Sequence, residues 1–135
     1  MYKCNHFRIY ELVPPHIYAQ FRAQAWQFMD DRLLKSLDIL RDLYGPIIIN
    51  NYMHGGEREW SGLRTPNSPY YSPTSQHSFG RAADCLFRDT DVELVRKHII
   101  SKTIPARIHI TAVELGTSWL HIDCRNVEPV KTFRP

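Results

Sequence analysis

The sequence predicts an α+β fold in a single domain, with helices packed against one antiparallel sheet. Length is the first reason, because 135 residues with 43% hydrophobic content can bury one core but are too few for two ordinary domains. The order of the periodic segments is the second, since helical stretches come first and several short β-rich runs follow. We therefore treat residues 1–135 as one domain.

The predicted helical part covers residues 15–44 and is divided in two. Aromatic side chains recur at helical spacing in its first half, and leucines do so in its second half. Asp30 or Asp31 can cap the second helix, and Gly45 ends it. Residues 46–52 then form a short β-rich run, which predicts a buried strand.

Residues 53–75 show neither helical nor strand periodicity and are rich in glycine, proline and aromatic residues. An irregular segment of this length in so small a domain is usually functional. Beyond it, the pattern predicts a strand at 81–87, a capped helix at 90–101, a hairpin formed by 107–115 and 119–125, and an edge strand at 130–133.

Charge and cysteine content exclude several classes of protein. Seventeen Lys and Arg against fourteen Asp and Glu give a net charge of +3, and because these cations are scattered we expect no nucleic-acid binding. The three cysteines are odd in number and match no recurrent disulfide or metal spacing. No apolar run reaches the ~20 residues of a membrane span, and the first residues do not resemble a secretory signal. The sequence leaves the oligomeric state open.

Two short stretches carry the candidate chemistry. In the first, His77 and Asp84 flank a glycine and two alanines, which would let the chain turn and bring both side chains together. By itself this spacing is loose, and an ordinary hydrogen-bonded pair explains it more readily. In the second, Glu114 and His121 lie on the predicted hairpin and share a face if its loop has two or four residues. There too, a core histidine between solvent-facing carboxylates such as Asp123 remains an alternative.

The chain resembles the zinc D-alanyl-D-alanine carboxypeptidase and endopeptidase family, whose fold is shared with the hedgehog signalling domain. The resemblance lies in Ser-x-His-x-x-Gly-x-Ala-x-Asp, from Ser75 to Asp84, followed by Trp-x-His, from Trp119 to His121. It implies that Zn²⁺ is bound by His77, Asp84 and His121. It also implies, from the Ser-Gly-x-Arg context, that Arg64 binds the substrate carbonyl or carboxylate and stabilises the developing oxyanion.

The general base departs from the family pattern. Many members place an acidic residue three positions before the last zinc-binding histidine, and here that position is Ser118. Glu114 is the nearest acid on the N-terminal side, and we expect it to be the base. Asp123 is the competitor, although its position beyond His121 suits a residue that orients the ligand imidazole.

The resemblance further implies a peptidoglycan stem peptide as substrate, cut at a D-Ala-D-Ala bond or at an L-Ala-D-Glu bond. A compact member without a signal peptide is similar to bacteriophage endolysins, which wait in the host cytoplasm until a holin releases them to the cell wall. A zinc-containing module that binds a wall or protein partner without cleaving it is the alternative, and the missing acid at Ser118 favours it.

Overall fold

A computed structural model describes residues 1–135, apart from the side chain of Ile108. In the described chain the α-helices are α1 (Pro15–Phe21), α2 (Asp31–Tyr44) and α3 (Val92–Ile100). One sheet contains β1 (Ile47–Ile48), β2 (Ala82–Phe87), β3 (Ala112–Glu114), β4 (Leu120–Asp123) and β5 (Lys131–Phe133). Short 3-10 helices cover Ile9–Glu11, Arg22–Phe28, Tyr52–His54, Gln76–Phe79 and Pro105–Ile108. The predicted α+β class is confirmed.

Two helices begin at acidic caps, and the cap of α2 is one of the two residues that the sequence predicts. The side chain of Asp30 accepts a hydrogen bond from the backbone N–H of Arg32 at 2.9 Å, and α2 ends at Gly45 with φ 82°. Asp91 caps α3 in the same way at 3.0 Å. The first predicted helix is correct only over α1, because Arg22 takes a positive φ of 49° and the following turn is a 3-10 helix.

The sheet is mixed, so the prediction of an antiparallel sheet is wrong at one edge. Its order is β1-β2-β4-β3-β5, and β5 runs parallel to β3 while the other neighbours are antiparallel. Asp123 and Lys131 both pair with Ala112, from opposite sides of β3. β4 therefore ends beside the start of β3. The chain then crosses this end of β3 and enters β5, which runs in the same direction as β3.

All five predicted strands are shorter than expected, two of them by more than half. The run at 107–115 is a strand only over β3, and its beginning belongs to a 3-10 helix that has Pro105 at its start. A proline at that position favours a helical turn because its φ is already fixed near the helical value. The run at 46–52 is a strand only over β1.

The two faces of the sheet have different roles. One face contributes apolar side chains to the core, against which α2 and α3 pack: Ala83, Cys85, Val113, Leu120 and Ile122. The strand period of two places Asp84 and His121 on the opposite face, where they are buried without belonging to that core. No helix among the described residues has the length and apolar character needed to cross a membrane.

Candidate metal centre

Strands β2 and β4 place Asp84 and His121 side by side. The two residues are register partners, and facing residues of an antiparallel pair project their side chains to the same side. His121 Nδ1 lies 2.9 Å from Asp84 Oδ1. His121 is 6% exposed and Asp84 is 9% exposed, so both residues are largely shielded from solvent.

His77 reaches this pair from a tight turn at the end of the long irregular segment. Ser75 precedes the turn, and its hydroxyl accepts a hydrogen bond from the backbone N–H of His77 at 3.3 Å. Gly80 ends the turn with φ 68°, and a Cβ there would lie 1.9 Å from the carbonyl oxygen of Phe28. Only glycine fits this position, because the conformation is left-handed and the neighbouring backbone leaves no space.

Three donor atoms converge at one point. His77 Nε2 lies 3.3 Å from His121 Nδ1 and 3.3 Å from Asp84 Oδ1. These atoms all lie within 4.8 Å of one another. Two donors that each lie ~2.0–2.1 Å from a tetrahedral zinc ion are separated by roughly 3.3 Å. The two distances from His77 match this separation and the distance of 2.9 Å between His121 Nδ1 and Asp84 Oδ1 is shorter, so the three donors are close enough together to hold one small cation.

The second nitrogen of each imidazole ring is also bonded. His77 Nδ1 lies 2.8 Å from the carbonyl oxygen of Gly62, and His121 Nε2 lies 2.9 Å from Asp123 Oδ2. A neutral imidazole that donates from one nitrogen presents a lone pair on the other. In their neutral forms both rings would therefore present a lone pair where the three donors meet, which is the usual arrangement of metal-binding histidines and their outer partners.

The charges of the cluster suit a bound cation. Burial disfavours the charged form of Asp84, but hydrogen bonds from His121 and His77 outweigh it and lower the pKa of Asp84. Burial also disfavours protonated His121, but the hydrogen bonds to Asp123 and Asp84 raise its pKa to about 9. Positive charge is thus favoured at this position, and a divalent cation would replace the proton there.

Arg64 borders the cluster. Its Nη2 donates to Asp84 Oδ2 at 3.0 Å, and its Nε donates to the carbonyl oxygen of Trp60 at 2.8 Å. Burial lowers the pKa of Arg64, while the negative charges of Asp84 and Glu114 are among the effects that oppose this shift. The guanidinium is therefore fixed in orientation, and the charge of Glu114 is close enough to act on it.

The cluster opens into a cavity of about 650 Å³. Its lining includes the aromatic residues Trp60, Tyr70, Trp119 and Phe133, the acidic residues Glu57, Glu59 and Glu114, and the arginines Arg58, Arg64 and Arg125. Much of this wall comes from the irregular segment at residues 53–75. Tyr71 and Phe79, two further aromatic residues in or near this segment, are not part of the described lining.

Glu114 and Asp123 occupy different environments. In the hairpin Val113 pairs with Ile122, and one further step in this register places Glu114 opposite His121. Glu114 is half-buried and lines the cavity. Asp123 is 1% exposed and lies outside the described cavity lining. Its carboxylate accepts hydrogen bonds from His121 and from the Nε, Nη2 and backbone N–H of Arg125.

Two of the three cavity arginines were missed by the sequence reasoning. Arg58 lies within the irregular segment, where no periodicity indicates which way a side chain points. Arg125 follows Asp123 by two residues, and the alternation of a strand could have placed it on the same face. Each is identified only by its contacts in the folded chain.

Comparisons of this chain with protein-family models, curated proteins and solved structures gave no match. The chemistry of the site therefore has to be inferred from the arrangement of its side chains. The informative features are the three convergent donors of His77, Asp84 and His121, the fixed guanidinium of Arg64, and the cavity carboxylate of Glu114.

Proposed function

We propose that the chain is a zinc-dependent peptidase, of the hedgehog and D-alanyl-D-alanine peptidase type, that hydrolyses peptide bonds in peptidoglycan stem peptides. One observation carries this proposal: His77 Nε2, Asp84 Oδ1 and His121 Nδ1 converge beside an open cavity. A cluster with a purely structural role has no need of such access. The outer hydrogen bonds of both imidazole rings would also leave their lone pairs directed at one point when the rings are neutral.

The donor set fits zinc. Two imidazole nitrogens and one carboxylate oxygen make three protein ligands, the number that catalytic zinc sites use when they keep one position open. Cobalt and nickel accept the same ligands, so another metal in a purified sample would be consistent with the site. When bound, zinc supplies a Lewis acid that lowers the pKa of water towards 7.

Glu114 is the proposed general base. It would accept a proton from the attacking water as the oxygen bonds to the carbonyl carbon, and return that proton to the amine when the C–N bond breaks. Its position in the cavity supports this role. Asp123 is a poor base by comparison, because the hydrogen bonds from His121 and Arg125 occupy its lone pairs. We propose that Asp123 orients the His121 ring.

Arg64 is the proposed oxyanion-stabilising residue. Its contacts with Asp84 and with the carbonyl oxygen of Trp60 fix the guanidinium beside the donor cluster. A donor held in place before reaction stabilises developing negative charge without reorganising. Arg64 would therefore donate to the carbonyl oxygen as it becomes negatively charged.

The biological setting follows from the resemblance described above. We propose a bacteriophage endolysin that cuts a D-Ala-D-Ala or an L-Ala-D-Glu bond and reaches the cell wall from the host cytoplasm through a holin. The alternative is a zinc-containing binding module without catalysis. Ser118, which stands where many members of the family have an acidic residue, is the observation that favours this alternative.

Purified peptidoglycan, free of outer membrane, tests the proposal. We would measure bound zinc and identify released products by mass spectrometry for the wild type, His77→Ala and Glu114→Gln. We expect His77→Ala to lose both zinc and cleavage, and Glu114→Gln to keep zinc but lose at least about 10²-fold in rate. Glu128→Gln, at an exposed position outside the described cavity lining, is the matched control and should behave as the wild type.

Two results would change the assignment. A wild type that binds zinc but releases no product would favour the binding module. Full activity in Glu114→Gln would show that another group is the base. The masses of the products would identify the bond that is cleaved.

A further inference from the structure

The three arginines of the cavity differ in their partners. Arg64 pairs with Asp84 at 3.0 Å, and Arg125 pairs with Asp123, to which its Nε donates at 2.8 Å. Among the residues that the structure describes, no carboxylate lies within 4.0 Å of the Arg58 guanidinium. The charge of Arg58 is thus the only one of the three without a direct carboxylate partner in the described chain.

Arg58 is nevertheless held rigidly. Its Nε donates to the carbonyl oxygen of Ile49 at 2.8 Å, and its Nη2 donates to the carbonyl oxygen of Asp84 at 3.1 Å. Its backbone is also fixed, because it exchanges hydrogen bonds with Asn51 in both directions. The side chain therefore keeps one orientation without any salt bridge.

One edge of this guanidinium is free. The two bonds to main-chain oxygens occupy Nε and one hydrogen of Nη2, while Nη1 makes no hydrogen bond with the described residues and is not buried. Arg58 lines the cavity. The edge formed by Nη1 and Nη2 matches a carboxylate, which can accept two parallel hydrogen bonds from it.

The surroundings favour an anionic ligand. Arg58 is half-buried, and a cation removed from water gains most from a directly bonded counter-ion. Glu57 and Glu59 also line the cavity, but neither forms a salt bridge with Arg58. A carboxylate on the substrate would supply the partner that the described chain does not.

We infer that Arg58 binds a free carboxylate of the substrate, on the residue next to the scissile bond. This inference rests on the proposed peptidase function. Arg58 donates to the main-chain oxygen of Asp84, whose side chain belongs to the donor cluster, so a carboxylate bound by Arg58 belongs to a substrate residue close to that cluster. Both candidate bonds carry such a group, namely the terminal carboxylate of D-Ala-D-Ala and the α-carboxylate of γ-linked D-Glu.

Matched peptides test this inference. For each candidate bond we would compare a peptide that carries the free carboxylate with the same peptide as its carboxamide. The wild type should cleave the carboxylate form of its substrate at least about tenfold faster in kcat/KM, since one charge-assisted pair contributes about that much. Arg58→Gln should abolish this preference, and Arg58→Lys should retain part of it. Arg88→Gln, which removes an exposed surface arginine, is the control and should change neither rate.

Equilibrium binding separates this inference from the peptidase proposal. In the Glu114→Gln background, calorimetry with both peptide forms reports recognition without turnover. A carboxylate preference that disappears in Arg58→Gln would support the inference even if the wild type cleaves neither peptide, a result that would sink only the peptidase proposal. Equal binding of both forms by wild-type Arg58, or equal weakening of both forms in Arg58→Gln, would overturn the inference.

Discussion

Asp84 and Asp123 lie on either side of the same imidazole ring. Asp84 Oδ1 is 2.9 Å from His121 Nδ1, and Asp123 Oδ2 is 2.9 Å from His121 Nε2. Each carboxylate is also paired with an arginine, Arg64 in the first case and Arg125 in the second. They differ in access, since the side chain of Asp84 is 12% exposed and borders the cavity, while that of Asp123 is 0% exposed.

This difference shows how one residue type takes two roles around one ring. The Asp123 carboxylate accepts four hydrogen bonds, which is about its full capacity, so it can orient His121 but has no lone pair left for a metal or a proton. Asp84 shares Oδ1 with both histidines at the point where the donors meet. The role of each carboxylate is therefore decided by access and saturation.

Replacing each aspartate by asparagine should give the largest difference between two variants, measured as zinc affinity. Asp84→Asn removes the proposed anionic ligand of zinc, and we expect zinc affinity to fall by more than about 100-fold. Asp123→Asn removes an outer partner, which usually costs about 10- to 100-fold. Competition with a chromogenic chelator measures both affinities. Equal losses would show that the distinction between ligand and orienting residue is wrong.

Arg64 and Arg125 should show the next largest difference, because replacing Arg64 should affect kcat and replacing Arg125 should affect stability. Arg64→Gln should lower kcat by about 10²–10³-fold with zinc retained, because it removes a donor to the oxyanion. Arg125→Gln should instead destabilise the zinc-free protein by about 2 kcal/mol, because the buried Asp123 loses its charged partner. Urea unfolding and steady-state kinetics of both variants test this. A variant of Arg125 with wild-type stability would contradict the structural role of its pair with Asp123.

The smallest effect is expected at Arg96, which supports the hairpin rather than the ring. Arg96 is 2% exposed and donates to the carbonyl oxygens of Glu114, Thr117 and Trp119 at 3.0, 3.1 and 2.8 Å. Lysine cannot reach all three, so Arg96→Lys should loosen the position of Glu114 and lower kcat by about tenfold at most. Zinc affinity should not change. Lys97→Arg, at an exposed neighbouring position, controls for the helix itself.

Part of the site is predictable because it is local in sequence. Ser75 to Asp84 contains two donors and the turn that joins them, and His121 follows in a second short motif. The choice between Glu114 and Asp123 is harder to make from sequence. The saturation of Asp123 depends on the positions of donors in the folded chain, and the face of Glu114 depends on the register of the hairpin.

The fold also contains features that local sequence predicts and features that it does not. The Asp30 cap of α2 is a local signal and was one of the two residues predicted, whereas the cap of α3 is Asp91, one residue after the start of the predicted helix. The parallel pairing of β5 with β3 depends on the path of the chain after β4, and the periodicity of the sequence does not predict that path. Arg58 was missed for a related reason, since its partners are main-chain oxygens that any residue could supply.

The turn that carries His77 is built directly onto the helical half of the molecule. Gly80 packs so closely on Phe28 that a methyl group has no room, and its carbonyl oxygen accepts from the backbone N–H of Asp30 at 2.9 Å. Separation of the helices from the sheet would therefore also separate His77 from Asp84. Metal release and loss of helical structure should then be a single cooperative event. A tightly bound ion would therefore protect the helices from proteolysis, although it does not contact them.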